Sequence, residues 1–85
     1  MTPGRPALSP LYRLQYEPAQ QAWVLLYPEG MVRLNASAAE ILGRCDGRSG
    51  VEEIVATLER DFAPADLRDD VVRFLGDAHE RGWIA

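Results

Sequence analysis

An α+β domain, a three-stranded antiparallel meander followed by three helices, is the fold class this sequence predicts, and three observations carry it. Apolar residues recur at every second position in the first part of the chain and at every third or fourth position in the second. The two regimes meet at Tyr27-Pro28-Glu29-Gly30-Met31-Val32-Arg33-Leu34-Asn35-Ala36-Ser37, where a turn signal leads into a short apolar run and then into helix-capping residues. Asp46-Gly47 then separates the first two helical stretches by a tight turn, so the whole inventory is that of a winged helix-turn-helix domain with its strands first.

Residues 1–10 hold Pro3, Pro6 and Pro10 with Gly4, which predicts a flexible, extended Pro-rich tail ahead of a single domain over residues 11–85. Tyr12-Arg13-Leu14-Gln15-Tyr16 alternates strictly, with Tyr12, Leu14 and Tyr16 on one face of a half-buried strand. After the polar turn Glu17 to Gln21, Ala22-Trp23-Val24-Leu25-Leu26-Tyr27 is apolar on both faces, as the middle strand of a meander must be. Pro28 presets the next turn and Gly30 closes it, so Met31 to Leu34 forms the last strand and an edge of the sheet.

Ser37 with Glu40 reads as a capping box for a first helix striped by Ala38, Ile41, Leu42 and Cys45, which Asp46-Gly47 ends. Ser49 with Glu52 reads as a second box, followed by Val51, Ile54, Val55, Leu58 and Phe62 along one face. Pro64 and Asp66 open a third helix that buries Leu67, Val71, Phe74, Leu75 and Ala78 and turns Asp69, Asp70, Arg73, Asp77 and Glu80 outward. Gly76 lies inside it, Gly82 ends it, and Trp83-Ile84 folds back as a cover.

A chain of 85 residues buries only about 60–65% of its unfolded surface, so its core is small and a deep catalytic cavity is hard to build. The 47% hydrophobic and 26% charged composition is that of a globular domain. No apolar run approaches the ~20 residues a membrane helix needs, and the Pro-rich start lacks the pattern of a signal peptide, which predicts a cytoplasmic protein without a membrane partner. Cys45 is the single cysteine and reads as a small core residue; no multi-cysteine metal site and no cofactor is implied. His79 has no evident catalytic partner, and Glu52-Glu53 and Asp69-Asp70 are adjacent rather than one helical turn apart, so they read as solvated faces.

The formal net charge of −4 is uneven: Arg5, Arg13 and Arg33 outnumber Glu17 and Glu29 before residue 36, while six arginines face eleven carboxylates after it. The third helix carries Asp66, Asp69, Asp70, Asp77 and Glu80 against Arg68, Arg73 and Arg81, the wrong balance for a groove-reading helix, which disfavours the runner-up, a small winged-helix DNA-binding regulator. An exposed edge strand beside an apolar helix surface suits a different guest, an extended peptide added to the sheet. On pattern alone, however, Met31, Val32 and Leu34 read as plain core packing ahead of a binding edge.

Leu25-Leu26-Tyr27-Pro28-Glu29-Gly30, Leu34-Asn35-Ala36-Ser37-Ala38-Ala39-Glu40-Ile41-Leu42, Cys45-Asp46-Gly47 and Val51-Glu52-Glu53-Ile54 together resemble the D protein of pyrroloquinoline quinone (PQQ) biosynthesis. The resemblance covers nearly the whole chain after the tail; where that family commonly has a threonine before the second helix, this chain has Ser49-Gly50. It implies a non-enzymatic peptide chaperone, a RiPP recognition element that binds the ribosomally made PQQ precursor peptide and presents it to a radical S-adenosylmethionine (SAM) enzyme, which joins a glutamate and a tyrosine side chain within it. The implied cleft lies between the third strand and the third helix, at Met31, Val32, Arg33 and Leu34 and at Val71, Phe74 and Leu75. No catalytic residue, metal or nucleic acid is implied, and the doubly apolar second strand leaves room for a monomer or a weak homodimer.

Overall fold

The computed structural model describes residues 4–62 and 66–85 and has the elements in the expected order: β1 (Arg13–Glu17), β2 (Ala22–Tyr27), β3 (Gly30–Arg33), α1 (Ala36–Leu42), α2 (Val51–Asp61) and α3 (Arg68–Glu80). The role given to Pro64 lies outside the described residues. The strands form one antiparallel sheet in the order β1-β2-β3. Tyr27 pairs with Gly30, so Pro28-Glu29 is the whole of the second turn. In β2, Val24 and Leu25 are each 0% exposed: Leu25 points to the helices, whereas Val24 points away from them, between Gln15 and Arg33 in the register.

The helix caps differ from the sequence pattern by one or two residues. Asn35, not Ser37, caps α1: its backbone is extended and its Oδ1 accepts from the Ala38 amide at 2.8 Å. Ser37 lies inside the first turn, where its hydroxyl cannot serve as the cap. The helix stops at Leu42, ahead of Asp46-Gly47, with the Gly43 amide bonded back to the Ala39 carbonyl. The Asp46 carboxylate instead ties the loop before α2, accepting from the Arg48 and Ser49 amides at 2.8 and 2.9 Å. Gly50, not Ser49, sits at the cap position of α2, and Glu53 reaches back to its amide at 3.2 Å. Phe62, at the end of the predicted stripe, is 48% exposed because α2 has already ended.

The end of α3 matches the glycine signal. Gly82 adopts a left-handed φ of 79°, its amide donates to His79, and the Trp83 amide donates to Ala78, the paired bonds of a Schellman stop. The chain then folds back as expected, and Ile84 is 3% exposed. Of the lead-in, residues 1–3 lie outside the described residues, and residues 6–9 are tied into the fold rather than left without one. Pro6 is buried, Leu8 bridges Ile84, the Ser9 amide donates to the Trp83 carbonyl at 2.8 Å, and Ala7 bonds to Ala85 in both directions. Proline bars a residue from donating to a ladder but not from accepting, and the Pro6 carbonyl accepts from Gly47.

One core joins the sheet to all three helices through Leu25, Leu34, Ile41, Leu42, Ile54, Leu58, Val71 and Leu75. Exposed ion pairs brace its outside: Arg44 bridges Glu40 and Asp61 at 2.9 and 2.7 Å, and Arg68 meets Glu52 at 2.6 Å. The Arg44 bonds hold the Asp61 carboxyl, and Arg68 the Glu52 carboxyl, below their ordinary values, as the Arg48 and Ser49 amides do for Asp46. A depressed carboxyl contributes stability that is present above its unfolded pKa and lost as pH falls through its lower folded one. The melting midpoint is therefore expected to drop below about pH 4, and Asp46→Asn is expected to flatten part of that drop; a midpoint independent of acid pH in the parent would contradict these assignments.

Candidate functional site

Because β3 is the last strand of the sheet, one side of its backbone has no partner strand among the described residues. The register identifies which groups are left over. The Leu34 amide donates to the Trp23 carbonyl at 2.9 Å, so Leu34 and Trp23 form a hydrogen-bonded pair. Such pairs alternate along an antiparallel ladder, which makes Val32 with Leu25 and Gly30 with Tyr27 the next ones. The N–H and C=O groups of Met31 and Arg33 therefore point outward, away from β2. Side chains alternate as well: Val32 and Leu34 face the helices, Met31 and Arg33 the other side. Met31 is 44% exposed, its sulfur 3.3 Å from Gln20 Nε2. Arg33 is exposed and makes no ion pair among the described residues.

On the helix side of β3 an open groove of about 650 Å³ separates Val32 from α3. One wall is the pair Tyr12 and Tyr27, rings 5.5 Å apart; the other is Phe74 and Trp83, rings 6.5 Å apart, with Asp77, Ala78 and Arg81 completing the lining. The Arg81 guanidinium lies 5.5 Å from the Trp83 ring centroid, a stacked cation that stiffens the rim. Trp83 owes its position to the Schellman stop and to the Ser9 amide on its carbonyl.

Of the residues placed in the cleft from sequence, Val32 and Phe74 line this groove. Val71, Leu75 and Leu34 are 2%, 0% and 7% exposed and support it from the core, while Met31 and Arg33 offer their backbone edge. Tyr12, Tyr27, Asp77, Ala78, Arg81 and Trp83 are the lining residues that the cleft placed from sequence left out. The two tyrosines carried a signal, since both belong to the inward face of their strands; Trp83 carried one only as a cover over the helices.

The other reactive group is sealed. Cys45 is 6% exposed and its thiol donates to the Ile41 carbonyl at 3.4 Å. Burial, then the neighbouring Asp46 charge, pushes its pKa up to about 11, so it stays a protonated core residue at neutral pH.

Comparison with known proteins identifies the family. The family profile of Coenzyme PQQ synthesis protein D (PqqD) matches residues 22–84. The PqqA binding protein of Azotobacter vinelandii is 52% identical over 80 residues, covering 93% of this chain and 87% of that protein. The PqqA binding protein of Methylococcus capsulatus is 49% identical over 77 residues, covering 91% and 83%. Among solved structures, the PqqD truncation of Methylobacterium extorquens PqqCD, determined by solution NMR as a functional, stand-alone RiPP recognition element, is similar at a TM-score of 0.76 and 27% identity over 100% of this chain and 95% of that one. With the profile spanning most of the chain from β2 to the last turn, and the same fold over its full length, the chain belongs to the PqqD family of coenzyme PQQ synthesis.

Proposed function

We propose that this chain is a peptide chaperone of PQQ biosynthesis that binds the PqqA precursor peptide as a fourth strand on β3 and presents it to the radical SAM enzyme of the pathway, which docks on another surface. It acts by binding and not by catalysis, a reading supported by relatives named PqqA binding protein and by the likeness to the recognition element of PqqCD. The observation that carries the reading is the outward backbone of Met31 and Arg33 running beside the Val32–Phe74 groove. Strand addition needs both parts: backbone bonds supply a modest, sequence-independent affinity, and the groove supplies side-chain burial that offsets the ordering of a flexible peptide. In this reading the chain works in the cytoplasm as a monomer or weak homodimer; no helix among the described residues is long and apolar enough to cross a membrane.

Titration with the synthetic precursor peptide and with duplex DNA, followed by calorimetry, tests the reading. Saturable peptide binding with no DNA binding is expected, because Asp69, Asp70, Asp77 and Glu80 are all exposed on α3. Arg33→Glu is expected to weaken peptide binding without unfolding the domain, and the deficit should shrink at high salt, since an exposed charge beside the guest acts over a screened distance. Equal affinities of parent and variant at low and high salt would remove Arg33 from the site.

A further inference from the structure

A guest strand bonded to Met31 and Arg33 has no freedom in where its side chains point. The guest residue opposite Arg33, whether its hydrogen-bonded partner in an antiparallel guest or its neighbour in the shared pleat of a parallel one, has its side chain on the same face as the Arg33 side chain, next to an exposed guanidinium without an ion pair among the described residues. Its two neighbours point to the helix side. One comes abreast of Val32 and enters the groove toward Phe74. The other comes abreast of Leu34, where there is a second open depression of about 580 Å³.

That second depression is floored by Leu34 and backed by Trp23 and Tyr16, one cross-strand row that continues Leu34 away from the edge. Trp23 and Tyr16 are 41% and 46% exposed, with rings 5.6 Å apart in an edge-to-face pair. The pair lies on the helix-facing side of the sheet, yet the helices leave it half uncovered. Val32 and Leu34 are thus the near walls of two open recesses of mixed lining, one two-residue strand repeat apart; Arg33 between them borders the second recess, while the strand alternation turns its side chain to the opposite face.

Resting on strand addition to β3, we propose that this chain selects its precursor peptide by a three-residue pattern, apolar, acidic, apolar, in which the acidic side chain pairs with Arg33, one neighbour fills the Val32–Phe74 groove, and the other, a large apolar or aromatic residue, fills the Leu34–Trp23 recess. The pattern reads the same in both directions, so it holds for a parallel or an antiparallel guest. Trp23 is then a specificity-determining residue and its recess a second side-chain site.

The test uses the full chain and the synthetic PqqA peptide, with each acidic peptide residue replaced in turn by lysine. Against Arg33→Glu, which should bind the parent peptide about tenfold more weakly, one lysine peptide is expected to recover the loss. Alanine at the residue before or after that position should weaken binding to the parent protein. In double-mutant cycles one of these neighbours should couple to Phe74→Ala and the other to Trp23→Ala. Trp23→Ala alone should lower affinity about tenfold, Trp23→Tyr should retain most of it, and Leu11→Ala, at a residue 68% exposed and outside both recesses, should change nothing. If Arg33→Pro binds far more weakly than Arg33→Ala, which loses the charge but keeps the amide, while Trp23→Ala binds as the parent does, strand addition stands and the second site is overturned. Recovery by none of the lysine peptides overturns the pattern, and undiminished binding by a folded Arg33→Pro overturns strand addition and the pattern with it.

Discussion

Ile54→Ala and Leu58→Ala are each expected to cost about 2–5 kcal/mol of folding stability. Both side chains are sealed, at 1% and 2% exposure, in the one core that joins the sheet to the helices. Truncation removes buried methyl groups and leaves a cavity that close-packed neighbours fill only in part. A domain of this size has about 5–15 kcal/mol in total, and its midpoint moves by about 4–8 °C per kcal/mol, so either variant should melt well below the parent. Phe62→Ala, from the end of the same stripe but 48% exposed, should stay within about 1 kcal/mol of the parent. Losses under about 0.5 kcal/mol at Ile54 and Leu58, measured by denaturant titration, would mean that α2 does not pack through this face.

Arg33→Pro is expected to lower peptide affinity by more than about tenfold while leaving the domain folded. The outward Arg33 amide is a donor the host sheet does not use, so proline there removes one bond to the guest, worth about 0.5–1.5 kcal/mol, and sets a ring where the guest backbone must approach. Val32 offers no such test, because its amide pairs with Leu25 inside the sheet and proline would break the host ladder. Phe74→Ala, which opens the groove, should lose affinity together with some stability through its contact with Trp83. Affinity of folded Arg33→Pro equal to that of the parent would leave a helix laid in the groove as the alternative binding mode.

The meander and all three helices were legible because their periodicities are local: the doubly apolar β2 announced a central strand, and the stripe Ile54, Val55, Leu58 announced a buried helix face. The caps were less so. Ser37 and Ser49 carry the right spacing to an acid, but Asn35 and Gly50 are the last residues with extended backbone, and geometry decides between neighbours that chemistry alone leaves equivalent. The cleft was read as two elements, and both are there, but the wall made by Trp83 depends on pairing of residues 7–9 with residues 83–85. That pairing joins the two ends of the chain, follows no period, and runs through a proline-rich stretch that reads as unstructured. Val71 and Leu75 were placed in the cleft with Phe74 by the family resemblance; a helix turn spreads the stripe the three share over enough angle for Phe74 to reach the groove while the other two stay in the core.

Amide hydrogen exchange of the protein with and without saturating precursor peptide measures strand addition at single residues. The β2 groups that bond to β3 are those of Trp23, Leu25 and Tyr27, so β1 is held through Ala22, Val24 and Leu26, and the outward amides of that opposite edge are Leu14 and Tyr16. Peptide bound as a fourth strand should slow exchange at Met31 and Arg33 and leave Leu14 and Tyr16 unchanged; saturation of the site with Met31 and Arg33 exchanging as fast as in the free protein would contradict it.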